Sequence, residues 1–234
     1  MKDFISRMKL VRSIKSLTGF EKVLWGSSVF IVTGGFLIAG KFDIMTLIAS
    51  LVGVTALIFV ARGDVLGQVL TVVFSVLYAV ISYRFRYFGE MITYLGMTMP
   101  IAIMSVITWM KNPYSENEVK VSKLKTGTYI GLLFLAAFVT FLFYFILKAC
   151  GTSNLIISTI SIATSFLASA LMMLRNSFYA IAYAMNDVVL IILWLLAAIN
   201  DIVFLPMIFC FIMFFLNDIY GFCNWIKMEK RQKF

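Results

Sequence analysis

The chain contains no histidine, and its three cysteines, Cys150, Cys210 and Cys223, form no CxxC or other metal-ligand spacing. No metal site is therefore expected, and the thiols are expected to be buried packing residues. Nor do G-x-S-x-G, H-E-x-x-H or GxxxxGK[ST] occur, so the usual signatures of hydrolases, zinc proteases and phosphate-loop enzymes are missing. Neither an enzyme nor a cofactor is expected. Charge is also scarce: 13% of the residues are charged, against about a quarter in soluble domains. Long hydrophilic stretches are nearly absent, which excludes an ordinary soluble core.

What is present instead is hydrocarbon. Hydrophobic residues make up 62% of the 234, mean hydropathy is +0.99, and apolar runs of about 20 residues, the length that crosses a bilayer, follow one another. In lipid every backbone polar group must be satisfied internally, which leaves helices or a closed barrel. Unbroken apolar runs exclude the alternating pattern of a barrel. The expected fold is an all-α integral membrane protein of eight transmembrane helices, at 23–40, 43–61, 65–83, 88–110, 128–149, 154–174, 177–199 and 202–226.

The charges then set the orientation. With the N-terminus inside, sixteen of the twenty cations fall on inner segments, and only Lys41, Arg84, Arg86 and Lys148 lie outside. This asymmetry puts both termini in the cytoplasm of a multi-pass plasma-membrane protein. It also accounts for the net charge of +9 without nucleic acid. Residues 1–22 read as a basic cytoplasmic segment, 111–127 as a cytoplasmic loop stopped by Asn112 and Pro113, and 227–234 as a cytoplasmic tail. Pro100 and Pro206 fall inside spans, either kinking helices beside a cavity or tolerated by their neighbours.

A duplication is suggested by Ala61-Arg62 and Leu174-Arg175, each closing an apolar span that precedes one with mid-helix polar groups. The chain then divides into an extra helix (23–40), a first triplet (43–110), a connecting helix (128–149) and a second triplet (154–226). A single connecting helix keeps both triplets in the same orientation, a parallel repeat in a 3+1+3 core.

Helical spacing sorts the polar groups onto faces. Tyr179, Tyr183, Asn186, Leu190 and Trp194 share one stripe with Asp187 beside it. Asn217, Tyr220, Gly221 and Asn224 share another, with Asp218 and Trp225 on its flank. Glu90 aligns with Tyr94, while Gly67, Thr71 and Ser75 form a small-residue face with Gln68 at its edge. The small face suits helix packing, and Glu90 or Asp218 could lie near headgroups. Asp187 lies about ten residues into its span, where an acid costs roughly 2.5–3.5 kcal/mol, and so needs a cavity or a partner. Aromatic rings beside amides and carboxylates suit a flat heterocycle carrying hydroxyls.

Taken together, Ala61 to Gln68, Ile81-Ser82-Tyr83, Arg86 to Glu90, Met97, Pro100, Trp109 to Tyr114, Asn186-Asp187 with Trp194, and Asn217 to Gly221 with Trp225 resemble the PnuC-type nicotinamide riboside transporter family. The resemblance spans roughly residues 43–226. It implies a homotrimer that takes up a nucleoside-like vitamin by facilitated diffusion, with a cytoplasmic kinase trapping the product. Carried over position by position, it places Gln68, Glu90, Asn186, Asp187, Trp194, Asn217, Asp218 and Tyr220 near the substrate, and Tyr183 joins them from the stripe above. The chain departs from the members resembled in having Phe178, Tyr179 and Tyr183 where they carry a tryptophan-rich motif. Nicotinamide riboside, another nucleoside or deoxynucleoside, and thiamine all remain open as substrates, as does proton coupling through Asp187 or Glu90.

Overall fold

The structure, a computed structural model, describes residues 10–39, 43–152 and 154–232. Lys2, Arg7, Lys9, Lys41 and Lys233 of the charge argument lie outside the described residues. A short α1 (Leu10–Lys15) precedes eight apolar helical spans. These are α2 (Gly19–Ala39), α3 (Ile44–Ala61), α4 (Val65–Arg84), α5 (Phe88–Thr93) continued through a π-turn (Tyr94–Thr98) into α6 (Met99–Lys111), α7 (Thr126–Ala149), α8 (Leu155–Met173), α9 (Tyr179–Asn200), and a 3-10 turn (Ile202–Phe204) leading into α10 (Leu205–Arg231).

Span number and order are as expected, and the differences have local causes. α2 begins at Gly19 because Thr18 and Glu21 form a reciprocal cap: the Thr18 N–H donates to Glu21 Oε2 (2.7 Å) and the Glu21 N–H to Thr18 Oγ1 (3.3 Å). The connector folds into a ribbon, Pro113–Ser115 paired with Glu118–Val119, pinned to the α3–α4 turn where the Val119 N–H donates to Gly63 O (3.0 Å). Pro100 follows the π-turn, which widens the helix where proline lacks an N–H. Pro206 sits in the first turn of α10, where no N–H is needed, so it neither kinks a helix nor borders a cavity. Only Cys210 is buried. Cys150, in the turn after α7, and Cys223 are exposed, contrary to expectation.

The duplication is written in hydrogen bonds. After α3, the Gly63 N–H donates to Val60 O (2.9 Å) and the Asp64 N–H to Phe59 O (3.0 Å). After α8, the Arg175 N–H donates to Met172 O (2.9 Å) and the Asn176 N–H to Leu171 O (3.0 Å). Gly63 and Arg175 both take positive φ, the left-handed residue that ends such helices. Val60 and Met172 are thus equivalent, and each receives an indole from the other repeat. Trp225 Nε1 donates to Val60 O (3.0 Å), and Trp109 Nε1 donates to Met172 O (3.1 Å). The next carbonyls are crossed in the same way, by Asn224 Nδ2 to Ala61 O (2.9 Å) and Thr108 Oγ1 to Met173 O (3.1 Å). The two indoles, both fully buried, face each other at 5.4 Å. A pseudo-twofold axis along the membrane normal runs between them.

The additional helices pack differently. α2 lies against α3 and α10, whereas α7 packs chiefly on α8 and is the least buried span. Below α2, Asp64 caps α4 by accepting from the Leu66 N–H (2.9 Å) and also accepts from Ser13 Oγ (2.7 Å). Burial pushes its carboxyl above the ordinary range, against the opposing pull of those bonds and of Arg62.

Replacing either indole by phenylalanine keeps a ring and removes the donor. Interhelical bonds in membranes contribute about 0.6–1.7 kcal/mol, so Trp109→Phe and Trp225→Phe should each lower the Tm in detergent by a few degrees. Equal melting of both variants and the parent would show that the crossed bonds carry no stability.

Candidate functional site

Between the two triplets lies a narrow cavity of about 50 Å³, well below the roughly 300–1,000 Å³ of an open small-molecule pocket, so a ligand of nucleoside size needs the walls to part. Its walls come from α3, α4, the π-turn, α8, α9 and α10, so both repeats contribute and neither α2 nor α7 does. Phe74, Tyr94, Phe211 and Phe214 supply aromatic surface, and Thr71, Thr98, Tyr183, Asn186, Asp187 and Asp218 supply polar groups.

Each polar group is held from behind. Asn186 Oδ1 accepts from Thr164 Oγ1 (2.8 Å) and Ser165 Oγ (2.9 Å), which commits the oxygen and leaves the amide N–H groups to a ligand. Tyr183 Oη shares a hydrogen bond with Ser169 Oγ (2.8 Å). The Asp187 and Asp218 carboxyls lie within hydrogen-bonding reach of each other across the α9–α10 contact. Asp187 Oδ2 is nevertheless buried without a partner among the described residues. Among the described residues, no lysine or arginine lines the cavity. The site therefore presents two acids, an amide donor and ring faces, with no fixed cation to neutralise the acids.

Four of the residues singled out in the sequence, Tyr183, Asn186, Asp187 and Asp218, meet here. Gln68 stands one layer back: its Nε2 reaches the sulfur of Met172, a wall residue, and its Oε1 is buried without a partner among the described residues. Trp194 donates to Tyr78 Oη (3.1 Å), and Tyr78 stacks at 4.3 Å on the cavity residue Tyr94. It belongs to an aromatic layer with Tyr87 (4.9 Å) and Phe204 (5.6 Å), which seals the cavity at the end opposite the tryptophan pair. Glu90 is buried beside this layer, accepting from Ser161 Oγ (3.1 Å). Asn217 turns towards α2, donating to Ser28 Oγ (3.0 Å) and Met213 O (2.7 Å). Tyr220 donates to Glu21 Oε1 (2.8 Å) in a separate polar hollow that also holds Arg62 and Arg231.

Comparison with known proteins places this architecture. The family model described as nicotinamide mononucleotide transporter matches residues 43–227, the whole chain from α3 to the end of α10's apolar part. The chain belongs to this family. The match leaves out α2, which sets that helix apart from the family core. The nicotinamide riboside transporter PnuC of Neisseria mucosa is 25% identical over 190 residues, covering 79% of this chain and 72% of that protein. The transporter of the same name from Haemophilus influenzae is 23% identical, covering 80% of this chain and 81% of its own. The crystal structure of the vitamin B3 transporter PnuC superposes with a TM-score of 0.80 at 23% identity, over 93% of this chain and 94% of that one, and shows the shared fold. The chain is a multi-pass membrane protein of a transporter family, not an enzyme.

Among the walls that sequence reasoning missed are the rings of Phe74, Phe211 and Phe214 and the α3 face of Gly53, Ala56, Leu57 and Val60. Phe211, Phe214 and Asp218 follow i, i+3 and i+7, so Asp218 marked their face. Gly53 lets these rings approach the α3 backbone: a Cβ there would stand 2.4 Å from Phe214 Cζ and 3.0 Å from Phe74 Cε2. Gly53→Val should push both rings into the cavity and weaken any ligand held there at least tenfold, while circular dichroism keeps the helical signal. Undiminished binding by calorimetry would show that the ligand sits elsewhere.

Proposed function

We propose that the protein carries nicotinamide riboside inward across the plasma membrane by facilitated diffusion. The observation that carries this reading is the composition of the cavity: Asp187 and Asp218, the Asn186 amide and five aromatic rings, with no lysine or arginine on the wall among the described residues. A pyridinium ring is flat and positively charged, so it gains from ring faces and carboxylates together. Ribose hydroxyls find the Asn186 N–H groups, Thr71 and Thr98. A phosphate would meet two acids and no cation, which favours the riboside over the mononucleotide.

The rest of the reading is supported by the cation distribution, for the orientation, and by the family resemblance, for assembly and trapping. Both termini are cytoplasmic, the assembly is a homotrimer, and a cytoplasmic kinase phosphorylates the product, which the acidic cavity then rejects. Access alternates by rocking of the two repeats about the tryptophan pair. Thiamine, also a flat cation, suits the same carboxylates and rings, and neutral nucleosides or deoxynucleosides gain less from them. A proton-coupled variant is favoured by one observation, the contact between Asp187 and Asp218, rather than by Glu90, which is tied to Ser161.

Titration calorimetry against nicotinamide riboside, thiamine and a panel of nucleosides tests the reading. Nicotinamide riboside should bind tightest, and Asp187→Asn should weaken it by roughly 10–100-fold, the range of a charge-assisted contact of about 1.5–3 kcal/mol. Preference for a neutral nucleoside, or an unchanged affinity in Asp187→Asn, would overturn the cationic assignment. Uptake into proteoliposomes should be indifferent to a protonophore, and accumulation that collapses on adding one would establish proton coupling instead.

A further inference from the structure

On the lipid-facing side an open groove of about 450 Å³ runs between α7, α8 and α9. Leu132 and Leu133, Leu167 and Leu171, and Ala182 and Met185 form its three walls. It exists because α7 leans on α8 and leaves the adjacent face of α9 uncovered: Met185 is 60% exposed and Leu133 58%. The mouth is built of polar and aromatic groups. Tyr129 Oη donates to Asn176 Oδ1 (3.1 Å), and the Tyr129 ring meets Phe178 edge-on at 6.3 Å.

The mouth opens at the level of the α8–α9 turn and the start of α7, where the chain leaves the hydrocarbon. Cations gather there. Lys123 and Lys125 are exposed, and Arg175 is held at the same rim by donating from Nη1 to Lys120 O (3.2 Å). The acid that meets them is Glu229, 3.7 Å from Lys123. Lys125 precedes a 24-residue helix whose first turn has no side-chain cap, so unpaired N–H groups and the helix dipole add to the positive field.

We propose that this groove is a phospholipid site, with one acyl chain along the Leu132–Leu171–Ala182 trough and an anionic headgroup held at its mouth by Lys123, Lys125 and the start of α7. Charge decides between the occupants. A second copy of this chain packing laterally in hydrocarbon needs an apolar face but no cluster of cations at its edge. An anionic lipid needs both, in this order along the membrane normal, because its phosphate lies at the level of the mouth and its tail points along the groove.

Native mass spectrometry of the purified protein, in micelles doped with either dioleoyl phosphatidylglycerol or dioleoyl phosphatidylcholine, tests this. The parent should retain phosphatidylglycerol in preference to phosphatidylcholine. Ala182→Trp, which fills the trough, should release both lipids. Lys123→Gln with Lys125→Gln should lower the preference for phosphatidylglycerol on the order of tenfold. Equal retention of the two lipids by the parent, or unchanged retention in Ala182→Trp, would overturn the proposal. So would a change in subunit number with the lipid count unaltered, which would assign the groove to a second copy. Should Ala182→Trp fail to fold, the surface lysine variant decides alone.

Discussion

The Val60 and Met172 carbonyls, at the ends of α3 and α8, each accept one bond from the turn that follows and hold a second acceptor position in a buried setting. The protein meets this constraint by reaching across: each repeat's third helix sends an indole N–H to the other repeat's first helix, at equivalent residues Val60 and Met172. Asn224 and Thr108 repeat the exchange one residue later. Neither half can therefore complete its helix ends in isolation. The crossing also brings α3, α4, α9 and α10 together around the space where the polar side chains converge.

That space is tolerable in a membrane because its polar groups lean on one another. Asn186 rests on two hydroxyls of α8, Tyr183 on a third, and Asp187 on Asp218. Small residues make the support possible. Gly67 lets α4 press against α3, where an added Cβ would come within 2.4 Å of Val60 N. The packing face read from Gly67, Thr71 and Ser75 thus has two uses along its length: Gly67 closes the helix contact, and Thr71, one turn on, reaches the cavity.

The spans were legible because length and hydropathy leave little freedom in lipid, and the repeat because its arginine-marked turns recur. The π-turn was not, since one extra residue in a helical turn shifts side chains without changing their kind. The cap at Thr18 and Glu21 was also missed, because an acid three residues inside a helix reads as solvent-facing until its partners Arg62 and Tyr220 are seen. In the cavity, periodicity identified the face but not the depth. Trp194 shares the stripe of Asn186 yet lies eight residues on, about 12 Å along the axis, and so falls in the aromatic layer above. Asn217 and Asp218 are neighbours on α10, and only contact with α2 decides that the first turns away while the second turns in. Phenylalanines carry no signal at all in such a chain, because a ring facing lipid and a ring facing a ligand are written with the same letter.

One asymmetry has mechanical weight. α2 spans the seam between α3 and α10, tied by Asn217 to Ser28 and by Tyr220 to Glu21, which also meets Arg62 at 3.5 Å. At the pseudo-equivalent seam, between α8 and the π-turn with α6, α7 packs chiefly on α8 and reaches the other side through apolar contacts, Ala136 and Leu147 sharing a cluster with Met97 and Ile101. Two halves that are alike in fold thus differ in compliance. Displacement along the α7 seam slides apolar surfaces, whereas displacement under α2 breaks hydrogen bonds, so a symmetric fold has a preferred side on which to give way.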